Sequence, residues 1–246
     1  MYQPKTLAHG NFSPEDITVT VSPSNRKIDP NTESKIDIFW EEKVKKAKAN
    51  DQLLYNGLSY RLNAFAEKDG KLSLDFGIFD FKTRECLPEV PGYEELGEDY
   101  FRKGCFTSAT VKTSDDKYLL VELTGKSMNR NQVDFLGGIM ETEPPIKNGQ
   151  DIFVSLYQEL EEEAFIHRGD IQEAKLKLLF LNSRTNACFY FEVALALSSK
   201  DLQKRFDQQT KEVDIRSLKI YSWEDYIPQL KQLNENKKFI AESISK

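Results

Sequence analysis

The sequence has few of the residues on which disulfide scaffolds and common zinc sites depend. Its 246 residues include three cysteines, Cys86, Cys105 and Cys188, and two histidines, His9 and His167. Three widely separated cysteines favour reduced thiols, as in a cytoplasmic protein, over a disulfide framework. Two histidines are too few for a histidine-rich zinc site. Any chemistry is therefore expected to depend on carboxylates.

Long apolar runs and an excess of basic charge are also missing. No apolar stretch approaches the roughly 20 residues that a membrane span needs, and residues 1–5 lack the apolar core of a signal peptide. Lys plus Arg number 34 against 40 Asp plus Glu, a net charge of −6, which argues against a basic face for nucleic acid or an anionic membrane. We predict a cytoplasmic protein that binds a small molecule; the oligomeric state stays open.

What is present is a succession of strand and helix patterns. The predicted strands are 17–21, 58–65, 72–81, 107–112, 118–123, 176–181, 188–197 and 215–221; the predicted helices are 31–50, 152–164, one ending at 206, and one from 224 onward. This order predicts an α/β sandwich with a mixed sheet. Proline and glycine between about 86 and 98 mark an internal boundary, which separates an N-terminal accessory region, 1–98, from a main domain, 99–246.

One stretch of the main domain carries a cluster of carboxylates. A Gly137-Gly138 turn follows a predicted strand, and the predicted helix over 152–164 contains Glu159, Glu162 and Glu163. Because residues three and four apart lie on one side of a helix, these carboxylates can share a face. Like charges held together without basic partners repel one another, which favours a bound divalent cation. We expect Mg²⁺, which prefers oxygen ligands, with Mn²⁺ able to replace it.

The simpler interpretation is that this acidic run is the solvated face of a surface helix, as most acidic runs are. The neighbouring Gly-Gly turn and the strands on both sides favour a metal site instead. A metal held there would neutralise phosphate charge and activate a coordinated water, which cleavage of a pyrophosphate requires.

The same residues resemble the signature of the Nudix hydrolase family, Gx5Ex7REUxEExGU, in which U is aliphatic. The resemblance begins at Gly138 and continues through the segment 158–166, QELEEEAFI. Three features depart from the signature. The loop after Gly138 is about six residues too long, Gln158 stands where Arg is usual, and Phe165 stands where Gly is usual.

These departures make the chain similar to one branch of the family, the animal UDP-glucose/UDP-galactose diphosphatases, over roughly residues 35 to 225. The resemblance implies a Nudix-type α/β/α sandwich with a mixed sheet, together with an α+β accessory region over 1–98 that takes part in substrate recognition. It also implies Mg²⁺-dependent hydrolysis of a UDP-sugar to UMP and a sugar 1-phosphate.

The resemblance further implies roles for the helix carboxylates. Glu159 and Glu163 match the metal ligands of the family, and Glu162 matches a third ligand or the base that orients the attacking water. All three are candidate catalytic residues, and the identity of the general base stays open. The first Glu of the signature has no clean equivalent, and the candidates for its role are Gln150, Glu141 and Glu143.

Candidate substrate contacts are side chains that can stack on a uracil or bond to its edge or to a sugar hydroxyl. They are Tyr55, Phe81, Asp134, Asn182 and Thr185. Phe81 can equally be a core residue, because it lies on an alternating strand pattern. The candidate phosphate clamps are Arg130 and Arg184, since guanidinium geometry suits phosphate oxygens, although solvated surface is the simpler interpretation of each.

Two other functions stay open at this stage. The signature does not separate UDP-sugars from ADP-ribose, dinucleotides or nucleoside triphosphates, because specificity depends on loops and accessory regions. A catalytically silent nucleotide-binding module of the same fold is the second alternative. Gln158 and Phe165 favour it, whereas the three retained carboxylates speak against it.

Overall fold

The computed structural model describes residues 2–50, 54–101, 103–124, 132–209 and 215–245. The strands are β1 (Lys5–Phe12), β2 (Ile17–Val21), β3 (Leu58–Lys68), β4 (Lys71–Asp80), β5 (Cys105–Lys112), β6 (Tyr118–Leu123), β7 (Val133–Asp134), β8 (Ile171–Leu181), β9 (Ala187–Leu195) and β10 (Ile215–Tyr221). The helices are α1 (Pro30–Ala49), α2 (Phe81–Cys86), α3 (Gly149–Ala164), α4 (Ser199–Asp207), α5 (Trp223–Leu233) and α6 (Glu235–Ile244). In these described ranges, no helix has the length and apolar character needed to cross a membrane.

A mixed seven-stranded sheet forms the centre of the molecule. Its order is β1-β8-β9-β5-β6-β10, with β7 paired to β6, and the β5–β9 pair is parallel. Successive residues of β9 point to opposite faces. Phe191 packs on Phe153 of α3 with 5.0 Å between the ring centroids. On the other face, the hydroxyl groups of Tyr190 in β9 and of Tyr226 in α5 both form hydrogen bonds with the hydroxyl of Thr110. Helices thus cover both faces, and the predicted α/β sandwich with a mixed sheet is confirmed.

A second sheet of three strands, in the order β2-β4-β3, belongs to the N-terminal region. The predicted hairpin of residues 58–65 and 72–81 is its β3–β4 pair, and α1 contacts α2, which follows β4. The division of the chain at residue 98 stays a prediction and needs one correction. Strand β1, which the sequence pattern did not predict, pairs with β8 and so belongs to the large sheet.

The end of α3 explains how the chain tolerates Phe165 at the glycine position of the signature. Phe165 adopts a left-handed backbone with φ 56°, the conformation for which glycine is favoured. Its N–H donates to the carbonyl of Glu161, the 5→1 bond of an αL helix end, and Ile166 N–H donates to the carbonyl of Leu160. The Phe165 ring packs on Phe206 of α4 at 6.0 Å. A non-glycine residue adopts this left-handed backbone only at an energetic cost. Packing of the Phe165 ring offsets that cost.

The predicted C-terminal helix is two helices. Asn234 leaves the helical conformation with φ −144° and ends α5. Its side chain accepts a hydrogen bond from Lys237 N at 3.1 Å and begins α6. The three cysteines are free and buried, and burial raises the pKa of Cys86 to about 11. These thiols therefore act as packing groups.

Candidate active site

The Gly137-Gly138 turn lies along β5, where β6 separates from it. Leu136 O accepts from Ala109 N at 2.9 Å, and Gly138 O accepts from Thr107 N at 2.8 Å. The segment on both sides of the turn therefore runs beside β5 as an irregular extra strand. These two hydrogen bonds to β5 fix the position of the turn's backbone.

Gly138 lies directly against the carboxylate of Glu159. A Cβ atom added to Gly138 would lie 2.1 Å from Oε1 and 2.4 Å from Oε2 of Glu159. No real Cβ atom tolerates such a distance, so only glycine leaves this carboxylate in place. Gly137 is constrained independently, because its φ is +139° and a Cβ there would lie 2.3 Å from the carbonyl oxygen of Thr107. The structure thus gives a separate reason for each glycine of the turn.

Glu159 lies in an unfavourable electrostatic environment for a charged carboxylate. Burial, followed by the negative charges of Glu162 and Glu141, raises its pKa to about 7. Glu162 and Glu141 are themselves exposed. Glu162 on the same helix and Glu141 from the loop are therefore near enough for their charges to act on Glu159. Such an arrangement favours either a proton or a cation between the carboxylates.

Glu163 contributes in a different way. Its Oε2 accepts a hydrogen bond from Gly137 N at 3.1 Å, which ties α3 to the glycine turn. Glu161, on the same helix, turns away and pairs with the exposed His167 through Nδ1 at 3.1 Å. The acidic run is therefore not one uniformly solvated face, because its members have distinct environments.

A divalent cation fits the chemistry of this donor set, although the ligands are not gathered. Within the ranges that the structure describes, no three Asp, Glu, His or Cys side chains form a group ready to hold a metal ion. For the half-buried Glu159, the causes of the pKa shift among the described residues are burial and two like charges, so a cation would stabilise its ionised form. Oxygen donors of this kind suit Mg²⁺.

The raised pKa of Glu159 predicts how the stability of the metal-free protein depends on pH. The folded protein keeps this proton up to about pH 7, whereas the unfolded chain releases it near 4.5. The folded state binds more protons in this interval, so stability falls as pH rises from about 4.5 to about 7 and then levels off. The contribution is roughly 3 kcal/mol at most. Chemical unfolding in EDTA from pH 4.5 to 8 measures it, and Glu159→Gln is expected to remove this part of the slope.

The accessory sheet reaches the site through β3. Ser59 forms a bridge with Glu141, and Gly57 O accepts from Phe81 N at 2.8 Å. Tyr55 is 69% exposed, and Phe81 is half-buried with its ring edge-on to Trp40 at 6.2 Å. The chain around the predicted contacts Tyr55 and Phe81 is thus connected to Glu141 through β3. The predicted substrate roles of Tyr55 and Phe81 stay predictions.

The turn between β8 and β9 holds Asn182 and Thr185. Asn182 Oδ1 accepts from Arg184 N at 2.9 Å and Asn186 N at 3.0 Å. Thr185 is 1% exposed, has φ 60° and shares a 2.6 Å hydrogen bond with the hydroxyl of Tyr93. A β-branched residue with positive φ is an outlier that its surroundings must hold in place. Asn182 and Thr185 organise the turn, and Arg184 is exposed at its tip.

Asp134 has a partner that the sequence analysis did not identify. Its Oδ1 lies 3.0 Å from Nζ of Lys237 on α6, and the Lys237 side chain is only 5% exposed. A lysine in a C-terminal helix gives no local signal of such a role, because the contact depends on how α6 packs. Arg130, a candidate phosphate clamp, lies outside the described residues. The substrate contacts predicted for Asp134, Asn182 and Thr185 stay predictions.

Comparison with known proteins finds distant structural similarities. No protein-family model matches the chain, and no curated protein matches it. A MutT protein from Methanosarcina mazei has a TM-score of 0.36 and 14% identity, over 58% of this chain and 95% of that one. A Nudix hydrolase from Nitrosomonas europaea has a TM-score of 0.38 and 16% identity, over 58% and 88%. The Nudix domain of Shewanella oneidensis NrtR, solved with ADP-ribose, has a TM-score of 0.40 and 13% identity, over 64% and 96%. At this distance the function has to be argued from the chain's own residues.

Proposed function

We propose that the chain is a Nudix-type hydrolase that cleaves the pyrophosphate of a nucleoside diphosphate derivative with the help of Mg²⁺. The observation that carries this proposal is the placement of Glu159. Its carboxylate lies against Gly138, and its pKa is raised by burial and by the charges of Glu162 and Glu141. A carboxylate at a purely structural position is normally paired with a basic group or a hydrogen-bond donor. Here the neighbouring charges are of the same sign.

The residues have separable roles in this reaction. Glu159 and Glu163 would hold the metal, with Glu141 as an additional donor from the loop. Held there, a divalent cation would supply positive charge for the phosphates and would make a coordinated water more acidic. Glu162, exposed at the mouth of the site, would bind the metal or orient the attacking water. The glycine turn keeps space for the Glu159 carboxylate and donates Gly137 N–H to Glu163, so it fixes where these two side chains lie.

The substrate that we propose is a UDP-sugar, cleaved to UMP and a sugar 1-phosphate. Two observations support it: the resemblance of the segment 138–166 to the UDP-sugar branch, including Gln158 and Phe165, and the connection of β3 to Glu141. Tyr55 lies just before β3, and Phe81 N–H donates to the carbonyl of Gly57 beside that strand. A stacked aromatic ring is a common means of holding a base.

The test is release of UMP and glucose 1-phosphate from UDP-glucose by the whole chain, with Mg²⁺, with Mn²⁺ and with EDTA. Metal-dependent release that Glu163→Gln abolishes is the expected result. ADP-ribose serves as the comparison substrate. Turnover of ADP-ribose alone would keep the Nudix chemistry and contradict the UDP-sugar assignment, whereas metal-independent turnover would contradict the proposed site itself. Absence of turnover with both substrates, together with retained Mg²⁺ binding, would favour the silent nucleotide-binding module.

A further inference from the structure

The first turn of α6 contacts two backbone segments that carry predicted site residues, the β8–β9 turn and the segment that leads into Gly137-Gly138. We infer that Asn236 and Lys237 in this turn are positioning residues: Asn236 sets the β8–β9 turn and Lys237 sets the segment that leads into Gly137-Gly138. The inference rests on the proposed function for its kinetic consequences. Its structural part stands on contacts that can be measured without a substrate.

Asn236 fixes the β8–β9 turn from outside. Its Oδ1 accepts a hydrogen bond from Ser183 N at 2.8 Å. On the other side of this turn, Lys103 N donates to Thr185 O at 3.0 Å. The turn contains no glycine, and Thr185 is held at φ 60°. A strained turn keeps its shape only when its surroundings hold it, so the bond from Asn236 is one of the supports that determine where the exposed Arg184 is presented.

Lys237 fixes the start of the glycine segment. Its ammonium group is buried, and Asp134 Oδ1 at 3.0 Å is its ion-pair partner in the described part of the chain. A buried ammonium strongly favours a nearby carboxylate, because leaving it alone would cost several kcal/mol. The ion pair therefore ties Asp134, which lies three residues before Gly137 in the chain, to helix α6. Gly137 in turn donates to Glu163, and Gly138 borders Glu159.

Asn236 and Lys237 belong to a helix that packs away from the carboxylates of the candidate site. Helix α6 packs with Tyr190 and Cys188 on the face of the large sheet opposite α3, through Ile240 and Ala241. The carboxylates of the candidate site belong to α3 or to the loop before it. The influence of Asn236 and Lys237 must therefore pass through the backbone segments that they hold. A buried ion pair can also serve overall stability alone, and kinetics distinguish the two roles.

The test compares four variants with a matched control. Lys237→Met and Asp134→Asn each remove one partner of the ion pair, the double variant removes both partners, and Asn236→Ala removes the bond to Ser183. The control is Lys238→Met, which removes an exposed lysine from the neighbouring position of the same helix. For each variant, kcat, KM for UDP-glucose, the Mg²⁺ concentration for half-maximal rate and the melting temperature are measured. Amide hydrogen exchange over residues 182–186 is followed without substrate.

Loss of the Asn236 bond and loss of the ion pair are expected to change different kinetic parameters. Asn236→Ala should raise KM about fivefold to tenfold and speed exchange of the Ser183 amide by a similar factor, with kcat little changed. Lys237→Met should lower kcat and raise the half-saturating Mg²⁺ concentration, each about tenfold. The double variant Asp134→Asn/Lys237→Met should lose no more than Lys237→Met alone, because the two residues act as one pair. Lys238→Met should resemble the unaltered chain.

Two results would contradict the positioning role of Asn236 and Lys237. If Lys237→Met and Asn236→Ala lower only the melting temperature while KM, kcat and the Mg²⁺ requirement of the folded fraction stay unchanged, the pair is structural and the inference is wrong. If the unaltered chain turns over no nucleotide, the proposed function fails, and the exchange measurement still decides the structural part. Unchanged exchange at Ser183 in Asn236→Ala would then overturn it.

Discussion

Glu159→Gln is expected to lower metal-dependent hydrolysis by about three orders of magnitude while it stabilises the metal-free protein above pH 7. The loss follows from removing one charged oxygen donor from a metal that supplies several kcal/mol of transition-state stabilisation. The gain in stability follows from removing a charge that burial, Glu162 and Glu141 all oppose. Steady-state rates in Mg²⁺ and melting temperatures in EDTA at pH 8 measure the two effects.

The matched control for this experiment is Glu161→Gln. It makes the same chemical change on the same helix, but Glu161 is exposed and pairs with His167, and an exposed pair contributes little to stability. Neither the rate nor the melting temperature should change appreciably. If Glu159→Gln were as active as Glu161→Gln, the metal site would have to lie elsewhere in the molecule.

Alanine at the two glycines of the turn is expected to have different effects: Gly137→Ala should lower the stability of the protein, and Gly138→Ala should lower the rate of hydrolysis. Gly137→Ala forces a side chain onto a backbone with φ +139° and onto the carbonyl oxygen of Thr107 at 2.3 Å. It should destabilise the protein by about 3 kcal/mol, or roughly 10 °C in melting temperature. In Gly138→Ala the three atoms nearest to the new Cβ all belong to the carboxylate of Glu159, which can rotate away. It should leave stability within about 1 kcal/mol of the unaltered chain but lower the rate about a hundredfold, because a small displacement of a reacting group is costly.

A third glycine separates backbone strain from steric collision. Gly70, in the β3–β4 turn, has φ +72° and open space where a Cβ would lie. Gly70→Ala should therefore cost only about 1 kcal/mol and leave the rate unchanged. Equal loss of stability in Gly70→Ala and Gly137→Ala would contradict the role assigned to the collision with Thr107. A fully active Gly138→Ala would contradict the proposed place of Glu159 in the reaction.

The features that the sequence predicted correctly are those that depend on the spacing of residues close together in the chain. The three- and four-residue spacings of Glu159, Glu162 and Glu163 specify one side of a helix wherever the helix lies, and α3 has this form. The hairpins β3–β4 and β5–β6 were predicted because their turns carry residues suited to tight reversals, such as Asp69 and Asp116, both of which have positive φ. Local rules sufficed for these elements.

Features that depend on distant parts of the chain could not be predicted in this way. Strand β1 lacks a regular alternation because register shifts interrupt its pairing with β8 between Thr6 and Ala8 and between His9 and Phe12. The partnership of Asp134 with Lys237 joins residues about a hundred positions apart. Neither feature leaves a period or a motif in the sequence, since each depends on which surfaces meet after folding.

The left-handed cap at Phe165 opposes two energetic effects. Phe165→Gly would relieve a backbone cost of roughly 1 kcal/mol but would remove a ring that is 8% exposed and packs on Phe206, a loss of about 3 kcal/mol or more. Arg205 also donates to the carbonyl of Phe165 at 2.9 Å, so the cap is tied to α4 through its backbone as well as its ring. The residue that best suits the backbone is therefore the wrong residue for this protein. At position 165, side-chain packing outweighs conformational preference.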